Sequence, residues 1–191
     1  MKIEQIKQMI ASGRQSLWLT NANLEGAELP RVSLIRAQLL RANLSQADLN
    51  EADLSGANFM SANLQSINLR GAKLDGATLS GVDLTGADLT GASLIDADLS
   101  RANLSQANFS GTDLSRANFG ESNLTQCNFQ GANLTQAHLS EVSLVDANLN
   151  GANLTDANIR ESDLSGASME EAITDGADFE FSVLPDGSVD N

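Results

Sequence analysis

Apolar and polar residues follow one another along this chain with a strict period of five. From Ala22 to Glu171 the pattern Ala-(Asn/Asp)-Leu-x-x repeats in 30 consecutive units without an insertion. Leucine occupies the central position of 24 units, and alanine lies two residues before it in 22. Because residues two apart lie on the same face of an extended segment, both are predicted to point inward, and the Asn or Asp between them outward.

The last two positions of each unit have the composition of turns, as in Ser55-Gly56 and Ser105-Gln106. Two inward residues and one turn in every five fit neither a helix nor a flat sheet of ordinary strands. The pattern therefore predicts a coil of very short strands, in which each unit buries its apolar side only against neighbouring units.

These A(D/N)Lxx units resemble the pentapeptide-repeat family, and the resemblance covers about four-fifths of the chain. It implies an all-β fold, a right-handed four-sided parallel β-helix (solenoid), to which the N-terminal sequence adds a short capping helix. Four sides imply that residues 20 apart stack directly, about 4.8 Å apart along the axis.

Stacking at this spacing predicts specific side-chain pairs. Phe109 should stack on Phe129, with Phe119 entering between them from the opposite side. Aspartates in the outward position avoid one another at a separation of 20 within the repeat, as expected if like charges so close repel. Opposite charges should lie over one another in three places: Lys73 over Asp53, Glu51 over Arg31, and Arg116 over Asp96.

The two ends depart from the repeat, so three parts are predicted: a helix cap over 1–16, the β-helix over 17–171, and a C-terminal cap or dimerisation tail over 172–191. Between Lys2 and Ser12, Ile3, Ile6 and Ile10 have helical spacing, and Gly13 is a helix stop. We expect a short amphipathic helix on the top coil, with the outward Trp18 packed against it.

The tail combines four apolar residues with a turn sequence. The Pro185-Asp186-Gly187 segment between apolar residues indicates a closing hairpin or turn. Two interpretations remain open, a monomeric cap or a tail-to-tail homodimer, the second of which resembles how some family members associate. The candidate contacts in either case are Phe179, Phe181, Val183 and Leu184.

Composition limits the possible partners. A formal net charge of −14 and a pI near 4.2 oppose direct binding to nucleic-acid phosphates and favour basic protein partners or simple solubility. One cysteine permits no intrachain disulfide or thiolate metal cluster. Without an apolar run suited to a signal peptide or a membrane span, a soluble cytoplasmic protein that binds no membrane is expected.

The chain offers little for catalysis, so we predict a protein that is not an enzyme and has no cofactor, metal or catalytic residue. His138, its only histidine, lies in the outward position and has no predicted converging partners. Cys127 replaces an inward alanine and is interpreted as a small buried residue, with a redox thiol as the alternative.

Two surface features stand out as candidate partner-binding sites. Glu121, Glu141 and Glu161 stack in one column despite their like charges, either as a stripe that mimics phosphates or as a solvated acidic surface. Leu40 and Met60 form an outward apolar pair, which is either a contact patch or an instance of ordinary scattered apolar exposure.

These observations predict a non-catalytic protein-interaction scaffold with an unknown partner, possibly a basic or DNA-binding protein. The alternative is a DNA-mimicking inhibitor or protector of a type II topoisomerase (DNA gyrase). It is implied by resemblance to the quinolone-resistance branch of the family, and size, acidity and rod shape agree with it. The unbroken register leaves no projecting loop between Ala22 and Glu171.

Overall fold

Parallel bridges between residues 20 apart organise the structure, a computed structural model that describes residues 3–12 and 17–190. The bridges recur every five residues from Trp18↔Gln38 to Asp163↔Val183, and a two-residue turn follows each position. Each bridge is one residue long, and no longer strand forms within the described residues. Coils of 20 residues thus stack as a parallel β-helix, whose bridges run past residue 171 to Val183.

A hydrogen-bonded turn closes most corners of the coil. The Ala22 N–H donates to the Leu19 carbonyl at 3.0 Å, and the same bond recurs in later units. The last residue of the turn has a left-handed backbone, with φ of 56° at Asn21 and 65° at Gly56. This is the third position of a type II turn, where glycine is least strained. The frequent glycine at the end of each unit follows from this geometry.

The outward Asn or Asp has two structural roles. Its Oδ1 accepts the backbone N–H two residues later, as Asn128 does from Gln130 at 3.1 Å, which fixes the start of the turn. Asparagine also donates along the rod: Asn148 Nδ2 reaches Asn128 Oδ1 at 3.0 Å, and Asn68 Nδ2 reaches Asp48 Oδ1 at 2.8 Å. Aspartate lacks this donor, which adds a second reason for Asp to avoid Asp at this spacing.

The lumen is filled by the inward residues, as predicted. Phe109 and Phe129 stack with ring centroids 5.0 Å apart and planes within 6° of parallel. Phe119 meets both rings edge-on at 6.2 Å, so the predicted three-ring arrangement is confirmed. Away from these rings, buried leucine and alanine side chains fill the space between the walls.

Most polar side chains that replace inward alanines donate to a carbonyl in the neighbouring coil, whereas the buried Ser122 Oγ has no hydrogen-bond partner among the described residues. Thr112 Oγ1 reaches the Leu89 carbonyl at 2.8 Å, and Cys127 Sγ reaches the Leu104 carbonyl at 2.9 Å. Cys127 is 1% exposed, and burial raises the pKa of its thiol to about 12. The interpretation of Cys127 as a small buried residue agrees with these values, because a redox cysteine requires an accessible thiolate.

One short helix lies at the N-terminal end. α1 spans Ile3–Ala11; Ile6 is fully buried, and Met9 and Ile10 pack against the core. No helix among the described residues is long and apolar enough to cross a membrane. The predicted helix stop at Gly13 and the start at Lys2 lie outside the described residues, as does the side chain of Ile3.

The prediction that Trp18 packs against this helix is wrong. Trp18 does point outward, because it occupies the bridging position between two inward leucines. Its side chain is nevertheless 73% exposed, since Ile6, Met9 and Ile10 of α1 turn towards the core. The tryptophan is therefore available to solvent.

The C-terminal end closes with the predicted hairpin. Val183 bridges Val189 in antiparallel orientation, and the Leu184 N–H donates to the Ser188 carbonyl at 2.7 Å. Thr174 occupies a position that is normally inward, but it is exposed because no further coil lies beneath it.

Two of the three predicted charge pairs form ion pairs. Arg31 Nε lies 2.9 Å from Glu51 Oε2, and Arg116 Nε lies 2.7 Å from Asp96 Oδ1. Lys73 and Asp53 face each other across a bridge, but Asp53 Oδ1 accepts the backbone N–H and the hydroxyl of Ser55. Four of the six ion pairs among the described residues follow the 20-residue spacing, whereas Arg70–Asp88 and Arg160–Asp178 join residues 18 apart.

Candidate protein-interaction surface

Several departures from the repeat meet on one corner of the rod, which we call the glutamate corner. A column here means residues 20 apart in the sequence. Backbone bonds join neighbouring coils along this corner, as from Arg41 N to the Met60 carbonyl and from Glu121 N to the Ser140 carbonyl. The corner consists of three columns, which begin at residues 18, 20 and 21 and end at residues 178, 180 and 181.

The apolar pair and the glutamate stack lie on this corner together. Leu40 and Met60 belong to the middle column, and Glu121, Glu141 and Glu161 belong to the column beside it. Sequence analysis treated the two features separately, although their residue numbers already contained this relation. The structure thus places all five candidate partner-binding residues on one strip, apolar towards the N-terminal end and acidic towards the other.

Exposed apolar side chains are concentrated on the same strip. Six large apolar residues of the described chain are well exposed, and three of them lie here: Trp18 at 73%, Met60 at 43% and Phe181 at 53%. Leu40 is half-buried. Isolated apolar residues on a surface are ordinary, but a clustered set marks a contact surface.

An arginine at the head of the glutamate stack neutralises its first member. Arg101 lies 20 residues before Glu121, and its Nη2 contacts Glu121 Oε1 at 2.9 Å. Hydrogen bonding from the guanidinium, and then its charge, lower the pKa of the Glu121 carboxyl. Sequence analysis missed Arg101, although the column spacing was sufficient to find it.

The two remaining glutamates are not neutralised in this way. Among residues 3–12 and 17–190, no lysine or arginine forms an ion pair with Glu141 or Glu161. Arg160 directly precedes Glu161 in the chain and belongs to the middle column, but it contacts Asp178 at 3.1 Å and also Glu180. The free acidic charge of the stack is therefore concentrated at Glu141 and Glu161.

A depression of about 310 Å³ lies beside the stack. It forms where Gly120 interrupts a column that has serine in the coils on either side, at Ser100 and Ser140. Gly120 differs from the other glycines that the structure describes in that its φ is not left-handed, so the backbone does not require glycine there. The remaining wall is formed by Arg101, Asn118, Glu121, His138 and Glu141.

His138 takes part in the hydrogen-bond ladder of this corner. Its Nε2 lies 3.0 Å from Ser140 Oγ, and its Nδ1 lies 3.3 Å from Asn158 Nδ2. No group of three or more His, Cys, Asp or Glu residues in the described part of the chain is placed to hold a metal ion. The groups assembled here are suited to recognising charge and shape.

The four tail candidates do not form one surface. Phe179 is half-buried and packs against the core, whereas Phe181 is exposed and lies under the guanidinium of Arg160, 5.5 Å from the ring centre. Val183 is bridged on both sides, to Asp163 and Val189. Leu184 is half-buried beside the hairpin turn.

Comparison with known proteins identifies the repeat. The family model described as pentapeptide repeats matches in 8 copies, including residues 18–56, 37–76, 92–131, 102–140 and 127–166. No curated protein matches the chain.

Solved structures with detectable similarity are also pentapeptide repeat proteins or resistance proteins. HetL, involved in heterocyst differentiation regulation in the cyanobacterium Nostoc sp. strain PCC 7120, is 29% identical over 99% of each chain, with a TM-score of 0.42. Rfr23 from the cyanobacterium Cyanothece 51142 is 37% identical over 53% of this chain and 63% of its own, with a TM-score of 0.27.

Full-length QnrB1, a plasmid-mediated fluoroquinolone resistance protein, is 20% identical over 90% of this chain and 83% of its own, with a TM-score of 0.45. All three TM-scores are below 0.5 and carry no argument about the role of this chain. The match of the repeat model over well more than half of the residues is the finding on which the assignment rests.

Proposed function

Because the chain belongs to the pentapeptide-repeat family, we propose that it is a non-catalytic protein-interaction scaffold that binds a partner through the glutamate corner. The observation that carries this proposal is the clustering of Trp18, Leu40 and Met60 on the same strip as Glu141 and Glu161. This corner therefore offers a partner both apolar side chains and free acidic charge.

A rigid support is the second element of the proposal. We propose that the β-helix is right-handed and four-sided, which is supported by the turn every five residues and the bridges every 20. A support held by backbone bonds in every coil presents its outer side chains in a fixed geometry, which reduces the entropy lost on binding.

The described side chains also favour recognition over catalysis. The buried thiol of Cys127 is protonated at neutral pH, and His138 is engaged with Ser140 and Asn158. Nucleophilic or acid–base catalysis requires an activated group beside a substrate site. The depression at Gly120 is open and its lining is mostly polar, so it suits a side chain of a partner protein.

A comparative pull-down tests the scaffold function. The wild-type protein, a double variant Leu40→Ser/Met60→Ser and a control Ile35→Ser are immobilised and exposed to lysate of the native cell. Ile35 is a suitable control because it is 45% exposed, close to the 43% of Met60, and lies in another column. We expect a protein that the wild type and the control retain and the double variant loses.

The scaffold function is contradicted if the wild type retains no protein above an unrelated acidic protein of similar net charge. Circular dichroism of all three variants should be superimposable, which establishes that the loss is not caused by unfolding. If all three proteins retain the same partner equally, the glutamate corner is not the binding site, although the scaffold function itself stands.

Inhibition or protection of a type II topoisomerase is the second candidate. The stacked carboxylates favour it, since a partner that binds DNA phosphates is attracted to a row of negative charges. Arg101 weakens this candidate because it leaves only Glu141 and Glu161 unpaired in the stack, whereas a DNA strand carries one charge per about 3.4 Å along the axis. The charge density of this single column is therefore well below that of DNA.

A gyrase supercoiling assay tests this candidate directly. The DNA-mimic mechanism is supported if micromolar protein inhibits supercoiling and if this inhibition is weaker with the variant Glu141→Gln/Glu161→Gln. The control Glu171→Gln should inhibit as strongly as the wild type. Glu171 is an exposed glutamate in a different column, so its replacement removes charge without altering the stack. The candidate is rejected if, at the same concentration, the protein neither inhibits gyrase nor protects it from a quinolone.

The tail supports a separate proposal about assembly, a tail-to-tail homodimer. Ile173, Phe181 and Val189 are exposed near the open C-terminal coil. Burial of such side chains against a second copy is favourable by roughly 25 cal/mol per Å² of apolar area. Light scattering after size exclusion distinguishes a dimer from a capped monomer.

A further inference from the structure

We propose that the glutamate corner binds an extended basic protein segment, whose apolar side chain packs against Trp18, Leu40 and Met60 while its lysine or arginine side chains reach Glu141 and Glu161. This proposal rests on the scaffold function proposed above and specifies the chemistry of the partner. It is supported by the apolar end of the strip, by the small side chains in its middle and by the position of the two carboxylates without ion pairs.

The apolar end provides an anchor. Trp18, Leu40 and Met60 lie in three successive coils of one corner, where the columns otherwise hold mostly polar or small residues. A tryptophan side chain brings a large rigid surface to an interface at little cost in conformational entropy. An exposed tryptophan beside two flexible apolar side chains is thus suited to receive a leucine, methionine or aromatic residue of a partner.

The middle of the strip has small side chains, so a backbone can lie close to it. Its two turn columns carry Ser61, Ser80, Gly81 and Ser100 between the apolar end and Arg101. Beyond Ser100 the surface falls into the depression at Gly120.

The distances suit an extended chain. From the coil of Met60 to that of Glu141 there are four steps of about 4.8 Å, or about 19 Å in all. An extended peptide rises about 3.3 Å per residue, so about six residues span this distance. The expected ligand therefore carries an apolar residue separated by about six positions from one or two basic residues.

Charge selects the class of partner. The net charge of −14 repels phosphate groups, which excludes nucleic acid and an anionic membrane as occupants of this strip. Glu121 is already paired with Arg101. The carboxylates available to an incoming cation are therefore those of Glu141 and Glu161, one and two coils further along the rod. A basic segment also relieves the repulsion between these two stacked carboxylates.

The test uses the only tryptophan of the chain as a reporter. The full protein is titrated at low salt with two synthetic peptides, Leu-Leu-Ser-Ser-Gly-Ser-Ser-Ser-Arg-Arg and its reverse, because the direction of the segment is decided by the experiment. We expect at least one peptide to shift the Trp18 emission to shorter wavelength in a saturable manner, since the indole leaves water. The same peptide with Ala for Leu, or Glu for Arg, should bind at least about tenfold more weakly.

Matched variants locate the site. Anisotropy of a labelled peptide should show about three- to tenfold weaker binding to Glu141→Gln/Glu161→Gln and to Met60→Ser. The controls Glu171→Gln and Ile35→Ser should leave the affinity unchanged, and salt should weaken binding to the wild type more than to the glutamine variant. These five substitutions lie on the surface, and circular dichroism verifies that each variant is folded.

The proposal is overturned if neither peptide binds saturably, or if the control variants weaken binding as much as the corner variants do. Such a result leaves the scaffold function standing when the pull-down still retains a partner. The scaffold function fails independently, when the pull-down retains nothing specific. The two failures are therefore distinguishable.

Discussion

Phe119 lies in the lumen between two other phenylalanine rings, whereas Glu121, two residues later, lies on the glutamate corner and pairs with one arginine. Lumen side chains contact the coils above and below, so a change of volume disturbs the packing of the neighbouring coils. Corner side chains are restricted mainly by the left-handed backbone of the turn, φ 60° at Glu121. The difference indicates that the lumen specifies the fold and the corner is free to carry recognition.

The largest effect is expected from opening the lumen. Phe119→Ala should lower the free energy of unfolding by about 3–5 kcal/mol, because it removes a ring packed edge-on against both Phe109 and Phe129. Phe119→Leu should cost much less, since leucine is the usual central residue. Equilibrium urea denaturation measures both, and an equal loss for the corner variant Met60→Ala contradicts the contrast between lumen and corner.

Cys127 offers a test of the lumen by pH alone. Burial raises the pKa of its thiol from 9.0 to about 12. The folded protein therefore holds this proton more tightly than the unfolded chain. The contribution of this thiol to stability should be complete below pH 9, fall by about 1.4 kcal/mol per pH unit above it, and level off near pH 12.

Cys127→Ala should remove this alkaline loss, because alanine has no proton to release. Denaturation of wild type and variant across the alkaline range measures the difference. Parallel pH profiles of the two proteins would show that the thiol is accessible or that other groups dominate.

Substitutions in the outward asparagine ladder should change stability to an intermediate degree. Asn128→Ala removes the acceptor for the Gln130 N–H and the amide links to Asn108 and Asn148. We expect a loss of about 1–2 kcal/mol in the free energy of unfolding. Asn128→Asp retains the acceptor and should lose less; if both variants match wild type in denaturation, the ladder is not stabilising.

The smallest effects on stability are expected on the corner. Glu141→Gln should raise the denaturation midpoint slightly, because it relieves repulsion with Glu121 and Glu161. Glu121→Gln should lower it slightly, because the Arg101 pair is lost. High salt should diminish both shifts, and a shift that salt leaves unchanged argues against an electrostatic origin.

The Arg101 pair also has a defined pH dependence. Arg101 lowers the pKa of Glu121 in the folded state, through its hydrogen bond first and its charge second. The stabilisation is therefore present above the unfolded pKa and is lost as pH falls through the lowered folded value. The difference in denaturation midpoint between wild type and Glu121→Gln should therefore vanish at a pH below the lowered pKa of Glu121.

The candidate site was predictable as a set of residues but not as one surface. Leu40, Met60 and the three glutamates were recognised because they depart from the repeat at exposed positions. Arg101 was missed because it is an ordinary residue at its position until its column partner is considered. The exposure of Trp18 was also missed, because the orientation of α1 depends on which of its side chains the top coil buries.

The sequence by itself determined the short strands, the inward and outward positions and the closing hairpin, while the family resemblance supplied the 20-residue coil on which the predicted three-ring stack depends. The reason is that the five-residue pattern specifies the conformation of each unit locally, so a departure in one unit does not alter the prediction for the next. The tertiary structure decided that Asn and Asp cap the turns, that Gly120 opens a depression, and that Trp18 remains exposed. These features depend on contacts between coils, where residues distant in the chain meet and the local pattern leaves the outcome open.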